Sequence, residues 1–361
     1  MSLGSALVVG SGLMGTSVAL ALRSHGLQVH LDDRDRASLE LAVALGAGEL
    51  RTRATPRADL AVIAVPPASV ATVLAELQRQ DAAATYTDLA STKGTGQRAV
   101  ETIADPTSYV GGHPLAGREL SGPGAARADL FTGRPWVLTP SSFSADNALA
   151  AATNLVELCE ASPVLMDPHT HDLAVALVSH APQVLASLVA ARLVDADPHA
   201  VGLAGQGLRD VTRIAASDPR LWSEILASNA TAVADVLAAV AADLDEVVQA
   251  LRAVATDPAD PSALEPVTAA LRAGNLGRAQ LPGKHGQPPT RWTAVPVLVP
   301  DKEGELARLL TDVGKAGINI EDMRIDHSPG QPVGLVELAV RPTSAAELVA
   351  QLRALGWSVH W

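Results

Sequence analysis

The sequence predicts an α/β protein in three parts: a doubly wound, mostly parallel sheet, an all-helical region and a small βαββαβ unit. Short apolar runs alternate with helical patterns over residues 1–166, and strand-like runs vanish over residues 167–280. Strands return after a Gly/Pro-rich linker at residues 281–290. A chain of 361 residues is also long enough for two or three separate cores.

The first part has six strand-like apolar runs with helices between several of them. The predicted strands are Ala6–Gly10, Gln28–Asp32, Leu60–Val65, Thr85–Leu89, Tyr109–Gly112 and Trp136–Leu138. Helices are predicted at Leu13–Ser24 and Ala68–Gln78. This alternation predicts helices on both faces of the sheet and an active site at the carboxyl ends of its strands.

A glycine-rich turn ends the first predicted strand and opens the first predicted helix. The predicted cofactor-binding residues are Gly10, Ser11, Gly12, Leu13, Met14, Gly15, Asp32 and Val65. Glycines allow close approach of a pyrophosphate, the helix N-terminus offers N–H groups, and Asp32 would accept hydrogen bonds from a ribose. A Rossmann-type dinucleotide site is therefore predicted, with a structural glycine turn as the alternative. NAD is favoured because Asp32 would repel a 2′-phosphate, whereas Arg34 and Arg36 could bind one and accommodate NADP.

The second part, residues 167–280, is predicted to be all-helical and to form a homodimer. Long Ala/Leu/Val segments with helical period run over His169–Val194 and Pro219–Arg252, with breaks at Asp-Pro pairs. So much apolar helix surface is commonly buried against a second copy.

The third part, residues 291–361, is predicted to be a ferredoxin-like plait. Its expected elements are a strand at Thr293–Val299, a helix at Gly304–Ala316, strands near Ile318–His327 and Val333–Val340, a helix at Ala345–Leu355 and a strand at Trp357–Trp361. This β-α-β-β-α-β order is the basis of the prediction.

Polar clusters follow the fourth and fifth predicted strands and recur in the helical part. His113 lies in a predicted loop, where an imidazole suits the role of base for a hydroxyl proton, and Ser91 would share that hydrogen bond. Arg209 and Arg213 lie four apart on one predicted helix and suit a substrate carboxylate. Arg209 could equally pair with Asp210. Because the net charge is −12, an anionic substrate needs such a local cationic pocket.

Other candidates also have structural alternatives. His180 could be a core histidine, and Trp222 is more typical of a core than of a ligand site. His169 and His171 flank a helix start, but no third ligand accompanies them, so no metal site is predicted. The four lysines all lie outside the helical part, which disfavours β-hydroxy acid dehydrogenases, since these often use a lysine there.

Composition excludes several classes of protein. With 27 basic and 39 acidic residues, the chain is not expected to bind nucleic acid or an anionic membrane. The single cysteine, Cys159, excludes an intrachain disulfide and a cysteine metal site. No signal-peptide pattern is recognised, and no apolar run is expected to reach the roughly 20 residues that a membrane span needs. A cytoplasmic enzyme is therefore predicted.

Six segments together resemble the prephenate dehydrogenase family in its long form, which carries a C-terminal ACT domain. They are GSGLMG, DLASTKG, GGHPLAG, VSHAP, GLRDVTRIAASDPRLW and VPDKEGELARLLTDVGKAGINIED. The resemblance covers essentially the whole chain. It implies NAD-dependent oxidation and decarboxylation of prephenate to 4-hydroxyphenylpyruvate in tyrosine biosynthesis. An arogenate or dual-substrate dehydrogenase is one alternative, and a non-catalytic dinucleotide-sensing regulator is another.

The resemblance also implies roles for individual residues. His113 would accept the hydroxyl proton with help from Ser91, while Arg213 would bind a substrate carboxylate. His180 would line the substrate site and Glu119 would lie at its mouth. Arg209 and Trp222 complete the predicted substrate-binding set.

The ACT resemblance implies an amino-acid sensor, with tyrosine as the expected feedback inhibitor. A ligand would lie at Asp301, Gly304 and the GINIED segment that contains Asn319 and Ile320. A purely structural dimer module is the alternative.

Overall fold

The computed structural model describes residues 3–117, 120–257, 261–281, 292–327 and 332–361. The chain forms two compact units, residues 1–241 and residues 242–361. The first unit contains a large sheet followed by helices, and the second contains a small sheet. The boundary between the two falls within a long helix, Ala230–Thr256.

An eight-stranded sheet is the centre of the first unit. Its strands are β1 (Ser5–Val9), β2 (Gln28–Asp32), β3 (Glu49–Leu50), β4 (Ala58–Ile63), β5 (Ala83–Asp88), β6 (Tyr109–Pro114), β7 (Pro135–Thr139) and β8 (Ser162–Leu165). The connecting helices are α1 (Leu13–Ser24), α2 (Arg36–Ala44), α3 (Val70–Arg79), α4 (Gly94–Ile103) and α5 (Asp146–Leu158).

The strand order is β3-β2-β1-β4-β5-β6-β7-β8, and neighbours are parallel except for the pair β6 and β7. The chain leaves β1 in one direction for β2 and returns to its other side for β4. The crevice at the carboxyl ends of these strands is where an open α/β sheet binds its ligand. The predicted doubly wound sheet is confirmed.

Apolar side chains cover both faces of the sheet. On one face α1 and α5 bury residues such as Leu22 and Leu155 together with Trp136, whose ring lies 5.0 Å from that of Phe131. On the other face α3 buries Leu74 and its neighbours. With so few aromatic residues, close packing depends on small aliphatic side chains.

The single cysteine, Cys159, is buried within the α1 and α5 face of this core. Burial raises the pKa of its thiol to about 12. The thiol is therefore protonated and inert at neutral pH.

Two strands and one catalytic candidate differ from the sequence prediction. The short edge strands β3 and β8 are too brief to stand out as apolar runs. His113 was expected in a loop but lies within β6, opposite Val137 of β7. The antiparallel partner extends β6 beyond its glycines, and local sequence does not encode such pairing.

Helices follow the sheet in the first unit. They are α6 (Pro168–Val175), α7 (Ala181–Ala191), α8 (Pro198–Val201), α9 (Gln206–Thr212), α10 (Pro219–Ser228) and α11 (Ala230–Thr256). A single helix was predicted over His169–Val194, but a π-helical turn at Ala176–His180 separates α6 from α7. Pro182 has no N–H for the ladder, which explains why the helix widens just before it.

The stretch Pro168–Ala191 is 24 residues long and apolar enough to cross a membrane by length and composition alone. The prediction that no apolar run reaches this length is therefore wrong. The same stretch buries His171, Asp172 and His180, each of which is hydrogen-bonded within the unit. Buried polar side chains that are paired within one unit indicate that this side of the stretch packs against protein.

The second unit has β-α-β-β-α-β topology after a preceding helix. Its elements are α12 (Glu265–Arg278), β9 (Thr293–Pro300), α13 (Glu305–Lys315), β10 (Asp322–His327), β11 (Val333–Val340), α14 (Pro342–Ala354) and β12 (Ser358–Val359). The antiparallel strand order is β10-β11-β9-β12. The predicted ferredoxin-like order is thus observed, although β10 starts only at Asp322 and β12 is two residues long.

Trp357 closes the apolar core of this sheet. Its indole N–H donates to Oδ2 of Asp312 at 3.0 Å, and the guanidinium of Arg308 lies 3.8 Å from the ring centroid. Both partners belong to α13, so the aromatic ring ties this helix to the end of the chain.

Candidate active site

Glycines shape the turn between β1 and α1. Gly10 has a φ of +104°, and a Cβ there would lie 2.3 Å from the carbonyl oxygen of Ala64. A Cβ on Gly15 would lie 1.9 Å from the carbonyl oxygen of Gly10, whereas nothing lies within 4 Å of the Cβ that Gly12 lacks. The turn is therefore closely packed at two glycines and open at Gly12, where a pyrophosphate can approach Leu13 at the start of α1.

Two adjacent aspartates at the end of β2 have different partners. The backbone N–H of Ser11 donates to Oδ2 of Asp33 at 2.5 Å. Asp32, the residue predicted to bind the ribose, instead accepts a hydrogen bond from Arg51 at 3.1 Å. Because successive strand side chains point to opposite faces, only one of the two carboxylates can face the glycine turn. The structure places Asp33 there.

The remaining residues at this turn fit a dinucleotide. The hydroxyl of Ser11 is buried and has no hydrogen-bond partner within the described part of the chain, so a ligand can supply one. Met14 packs against the core below the turn, and Val65 is half-buried just after β4. Arg36 is paired with Glu40 at 2.8 Å, which engages one of the two cations that could have favoured a 2′-phosphate.

Three side chains form a hydrogen-bonded line near the carboxyl end of β6. Nδ1 of His113 lies 2.8 Å from Nε2 of His171, and Nδ1 of His171 lies 2.9 Å from Oδ1 of Asp172. Asp172 also accepts the backbone N–H groups of Lys93 and Gly94, each at 2.8 Å. Burial alone would raise the pKa of Asp172, but the hydrogen bonds from His171 and the two backbone groups outweigh it and lower this pKa.

An ionised Asp172 fixes the protons on both imidazoles. A carboxylate can only accept, so Nδ1 of His171 carries the proton and its Nε2 carries the lone pair. Nδ1 of His113 must then donate to that nitrogen. Nε2 of His113 is left as an unprotonated acceptor, which is the form a general base needs.

Burial keeps His113 neutral. Burial lowers the pKa of His113 well below its usual value, and the neighbouring His171, Lys93 and His180 side chains lower this pKa further. Neutral His113 can accept a proton at physiological pH.

Lys93 holds the backbone next to His113. Its Nζ donates to Oδ1 of Asp88 at 2.5 Å and to the carbonyl oxygen of Gly112 at 2.6 Å, and the whole group is buried. Gly112 approaches Asp88 so closely that a Cβ there would lie 2.6 Å from the carbonyl oxygen of Asp88. This packing explains why glycine precedes the histidine.

The structure brings the rings of His180 and Trp222 close together. Their ring centroids lie 6.1 Å apart in an edge-on arrangement. The side-chain amide of Asn229, at the 98° bend between α10 and α11, donates to the backbone carbonyl of Asp172 at 2.7 Å and lies 3.3 Å from Nδ1 of His180. If that nitrogen accepts from the amide, Nε2 of His180 carries the proton and can donate to a ligand.

The turn that carries Arg213 is tied to the helix that follows His180. Arg213 begins a 3₁₀ turn directly after α9. Gln183, buried in α7, donates to the carbonyl oxygen of Ile214 at 3.0 Å and to Oγ of Ser217 at 2.7 Å. Because Gln183 lies three residues after His180, the predicted carboxylate anchor is attached one helical turn from the predicted substrate histidine.

The remaining predicted substrate residues are less informative. Ser91 is half-buried in the loop after β5, two residues before Lys93. Arg209 is exposed on α9, and the neighbouring Asp210 accepts from Gln206 at 2.8 Å. Glu119 lies outside the described residues.

Matches to known protein families cover the large sheet and the helices that follow it. Residues 18–165 match the model for the nucleotide-binding domain of prephenate dehydrogenase, and residues 167–260 match the model for its dimerization domain. The probable prephenate dehydrogenase NovF of Streptomyces niveus is 39% identical over 362 residues, which span 99% of each chain. The chain belongs to the prephenate dehydrogenase family.

Solved structures of this family have the same fold. Prephenate dehydrogenase from Aquifex aeolicus, in complex with hydroxyphenyl propionate and NAD+, is 27% identical with a TM-score of 0.67 over 77% of this chain and 98% of that one. Arogenate dehydrogenase from Synechocystis is 26% identical with a TM-score of 0.61 over 76% of this chain and 98% of that one. This prephenate dehydrogenase family member is an NAD-dependent oxidoreductase, and its cofactor is NAD.

Sequence reasoning missed three residues that the structure brings into the candidate site. His171 was considered only as a metal ligand, and its neighbour Asp172 was not singled out. Asp32 was chosen as the ribose ligand instead of Asp33. Two adjacent aspartates were a signal that either carboxylate could face the glycine turn. All three depend on which side chain faces which neighbour, and spacing along the chain does not determine this.

Proposed function

We propose that this enzyme oxidises and decarboxylates prephenate to 4-hydroxyphenylpyruvate with NAD. The observation that carries the proposal is the line from His113 through His171 to Asp172, which leaves a neutral imidazole nitrogen free to take a proton. The related Aquifex aeolicus enzyme binds NAD+ and hydroxyphenyl propionate, a compound with the aromatic ring and carboxylate expected of such a product.

The chain's residues divide the work of the reaction. When bound, NAD would supply the acceptor for the hydride that leaves the hydroxyl-bearing ring carbon. Nε2 of His113 takes the hydroxyl proton, and Ser91 shares its hydrogen bond. As the carbonyl forms, the bond to the ring carboxylate breaks, CO2 leaves, and the ring becomes aromatic. The protein orients the reacting groups and places neutral His113 at the hydroxyl.

Other residues anchor the substrate and the cofactor. We assign the substrate side-chain carboxylate to Arg213, with Arg209 available at the rim, and we assign His180 and Trp222 to the walls of the site. Gly10, Gly12 and Gly15 would receive the pyrophosphate, and Asp33 would accept hydrogen bonds from the ribose in place of Asp32.

Replacing His113 tests the proposed reaction. The His113→Asn variant should lose about 10²–10⁴-fold in kcat, because an amide cannot take the hydroxyl proton, yet it should keep the affinity for NAD. His25→Asn, at an exposed histidine in the same unit, is the matched control. NADH formation from prephenate and from arogenate, with NAD and NADP, gives the readout. A wild-type protein that binds NAD but turns over neither substrate would support the regulator instead.

The pH dependence gives a second check on the same base. Because burial lowers the pKa of His113, the acid limb of kcat/KM should fall below pH ~6.5, the ordinary value for histidine. An acid limb centred above that value would contradict His113 as the base.

We further propose that the chain has three domains, at residues 1–166, 167–280 and 291–361. We also propose that the enzyme is a cytoplasmic homodimer formed through the helical domain, residues 167–280. The helices leave Leu177, Val178 and Leu203 more than half exposed, and a second copy of the chain would cover such side chains. Light scattering of Leu203→Asp should show a monomer. A dimer that survives this change and Val178→Asp would place the interface elsewhere.

We also propose that the second unit is an ACT-type sensor for tyrosine. The ligand would lie near Asp301, Gly304, Asn319 and Ile320. Gly304 has a φ of +85° at the start of α13, and the side chain of Asn319 donates to Glu321 at 2.8 Å. Tyrosine should inhibit the wild-type enzyme and inhibit Asn319→Ala less. A wild-type enzyme that tyrosine does not inhibit would favour a structural module, and equal inhibition of both proteins would place the tyrosine site away from Asn319.

A further inference from the structure

We propose that His171 receives a proton during the chemical step, so that the positive charge created by oxidation resides beside Asp172 and away from the substrate. This inference rests on the proposed dehydrogenase function. His171 does not touch the substrate in this proposal. It acts through His113, by holding the imidazole ring of His113 and by taking its proton.

The hydrogen-bonded line permits a balanced double transfer. The substrate hydroxyl proton arrives at Nε2 of His113, and the proton on Nδ1 of His113 moves 2.8 Å to Nε2 of His171. One proton enters His113 and one leaves it, so His113 ends neutral with its proton on the other nitrogen. His171 becomes an imidazolium, and Asp172 stays ionised, as the aspartate of a catalytic triad does.

The charges around the two rings favour this direction of transfer. His113 faces the buried cation Lys93, together with His171 and His180, all of which disfavour a positive charge on it. His171 is hydrogen-bonded at 2.9 Å to the carboxylate of Asp172. Within a buried site, a charge beside an opposite charge is far more stable than a charge facing a like one.

The surroundings hold the carboxylate of Asp172 in place beside the positive charge that forms on His171. The backbone N–H groups of Lys93 and Gly94 each donate to one of its oxygens, and Asn229 donates to its backbone carbonyl at 2.7 Å. Asp172 also borders a cavity of about 430 Å³ lined by charged residues that include Arg98 and Asp235. The carboxylate is thus fixed on one side and reaches water on the other.

The line resets after product release. The proton on Nε2 of His113 leaves through the emptied cleft, and the proton on Nε2 of His171 returns to Nδ1 of His113. The starting tautomers are restored with one net proton released, as the reaction requires. No group outside the line is needed.

A glutamine at position 171 separates positioning from proton transfer. In His171→Gln, the amide oxygen can still accept from Nδ1 of His113 and hold its ring, but it cannot take the proton. We expect about a 10–100-fold loss in the single-turnover rate constant for NADH formation. The steady-state KM for the substrate and the affinity for NAD should be unchanged. His169→Gln, two residues away and exposed, is the matched control and should behave as wild type.

Two further readouts distinguish this loss from a structural one. In mixtures of H2O and D2O, the wild-type rate should curve with deuterium fraction because two protons move, and the His171→Gln rate should follow a straight line. Added imidazole should restore activity to His171→Ala but not to His113→Asn.

The outcomes bear separately on the two proposals. A His171→Gln enzyme as fast as wild type, or a straight wild-type line, overturns the double transfer while a dead His113→Asn enzyme still supports the function. Wild-type protein without dehydrogenase activity overturns the function itself. Thermal melting of each variant identifies any that fails to fold, and for such a variant the wild-type isotope curve decides.

Discussion

Lys93 lies fully buried between the carboxylate of Asp88 and the carbonyl oxygen of Gly112. Burial lowers the pKa of this lysine, while the charges of Asp88 and Asp172 oppose that shift. Asp88 also accepts a hydrogen bond from the hydroxyl of Tyr109 at 2.5 Å. A charged side chain with several hydrogen-bond partners can remain buried in the core. Removing either Lys93 or Asp88 would then leave the other as an uncompensated buried charge.

Removing this cation should destabilise the protein strongly. We expect Lys93→Met to lower the free energy of unfolding by about 3–5 kcal/mol, because Asp88 would be left as an uncompensated buried charge. Urea denaturation of the variant against Lys315→Met, whose side chain is 74% exposed, provides the comparison. Equal stability of the two variants would mean that the buried pair contributes little.

Gln183 should affect substrate binding without touching the substrate. Its two hydrogen bonds hold the turn that begins with Arg213. We expect Gln183→Leu to raise KM for the substrate about tenfold with little change in kcat, because the carboxylate anchor is loosened and the base is not.

The matched control for this variant is Gln78→Leu. Gln78, in α3, donates two comparable hydrogen bonds, to the carbonyl oxygen of Asp105 and to Oγ of Ser108. Its loss should leave KM unchanged. A rise in KM for both variants would point to a general loosening of the fold.

At the scale of elements, the turn from β1 to α1 gives two glycines opposite roles. Gly15 is required by the packing of the turn, and Gly12 faces open space. Gly15→Ala should therefore cost about 1–3 kcal/mol of stability, because its Cβ would overlap the carbonyl oxygen of Gly10.

Gly12→Ala should do the reverse. We expect an unchanged melting temperature but about a tenfold weaker affinity for NAD, since the added methyl group would occupy space that the pyrophosphate needs. Calorimetric titration with NAD and thermal melting of both variants separate the two effects. Comparable losses of stability would contradict the division of roles.

Elements also show where sequence information ends. Strands with strong apolar runs, such as β1 and β4, were predictable because alternation and glycine punctuation encode them locally. The π turn before Pro182 was not, since a proline in a helical pattern signals a break without giving its geometry. The antiparallel pairing that includes His113 in β6 depends on β7, more than twenty residues later.

The site was predictable in chemistry and less so in arrangement. A histidine near the end of a strand and arginines in the helical part indicated a base and a carboxylate anchor. The contact of His113 with His171 joins residues 58 positions apart, and only the tertiary fold produces it. Which of Asp32 and Asp33 faces the glycine turn depends on the twist and register of the strand. A shift of one residue would move each side chain to the opposite face.

At the scale of the whole molecule, buried neutral histidines make folding sensitive to acid. Burial is the main cause that lowers the pKa values of His113 and His180. The folded state therefore resists protons that the unfolded chain accepts below its ordinary histidine pKa of about 6.5. Stability is fully present above that pH and is lost as the pH falls below it.

We expect urea denaturation to show lower stability at about pH 5 than at about pH 7. The double variant His113→Asn, His180→Asn should lose less over the same interval, because two of the groups that must remain neutral are gone. An identical loss in the wild type and the double variant would assign the acid sensitivity to other residues.

The buried thiol of Cys159 has a practical use for studying the assembled enzyme. With a pKa of about 12 and only 1% of its surface exposed, it will not compete for maleimides or spin labels in the native state. A cysteine introduced at Val178 or Leu203 would then be the sole reactive group in each chain. Any covalent bridge that forms between copies could be attributed to that position, without first building a cysteine-free background.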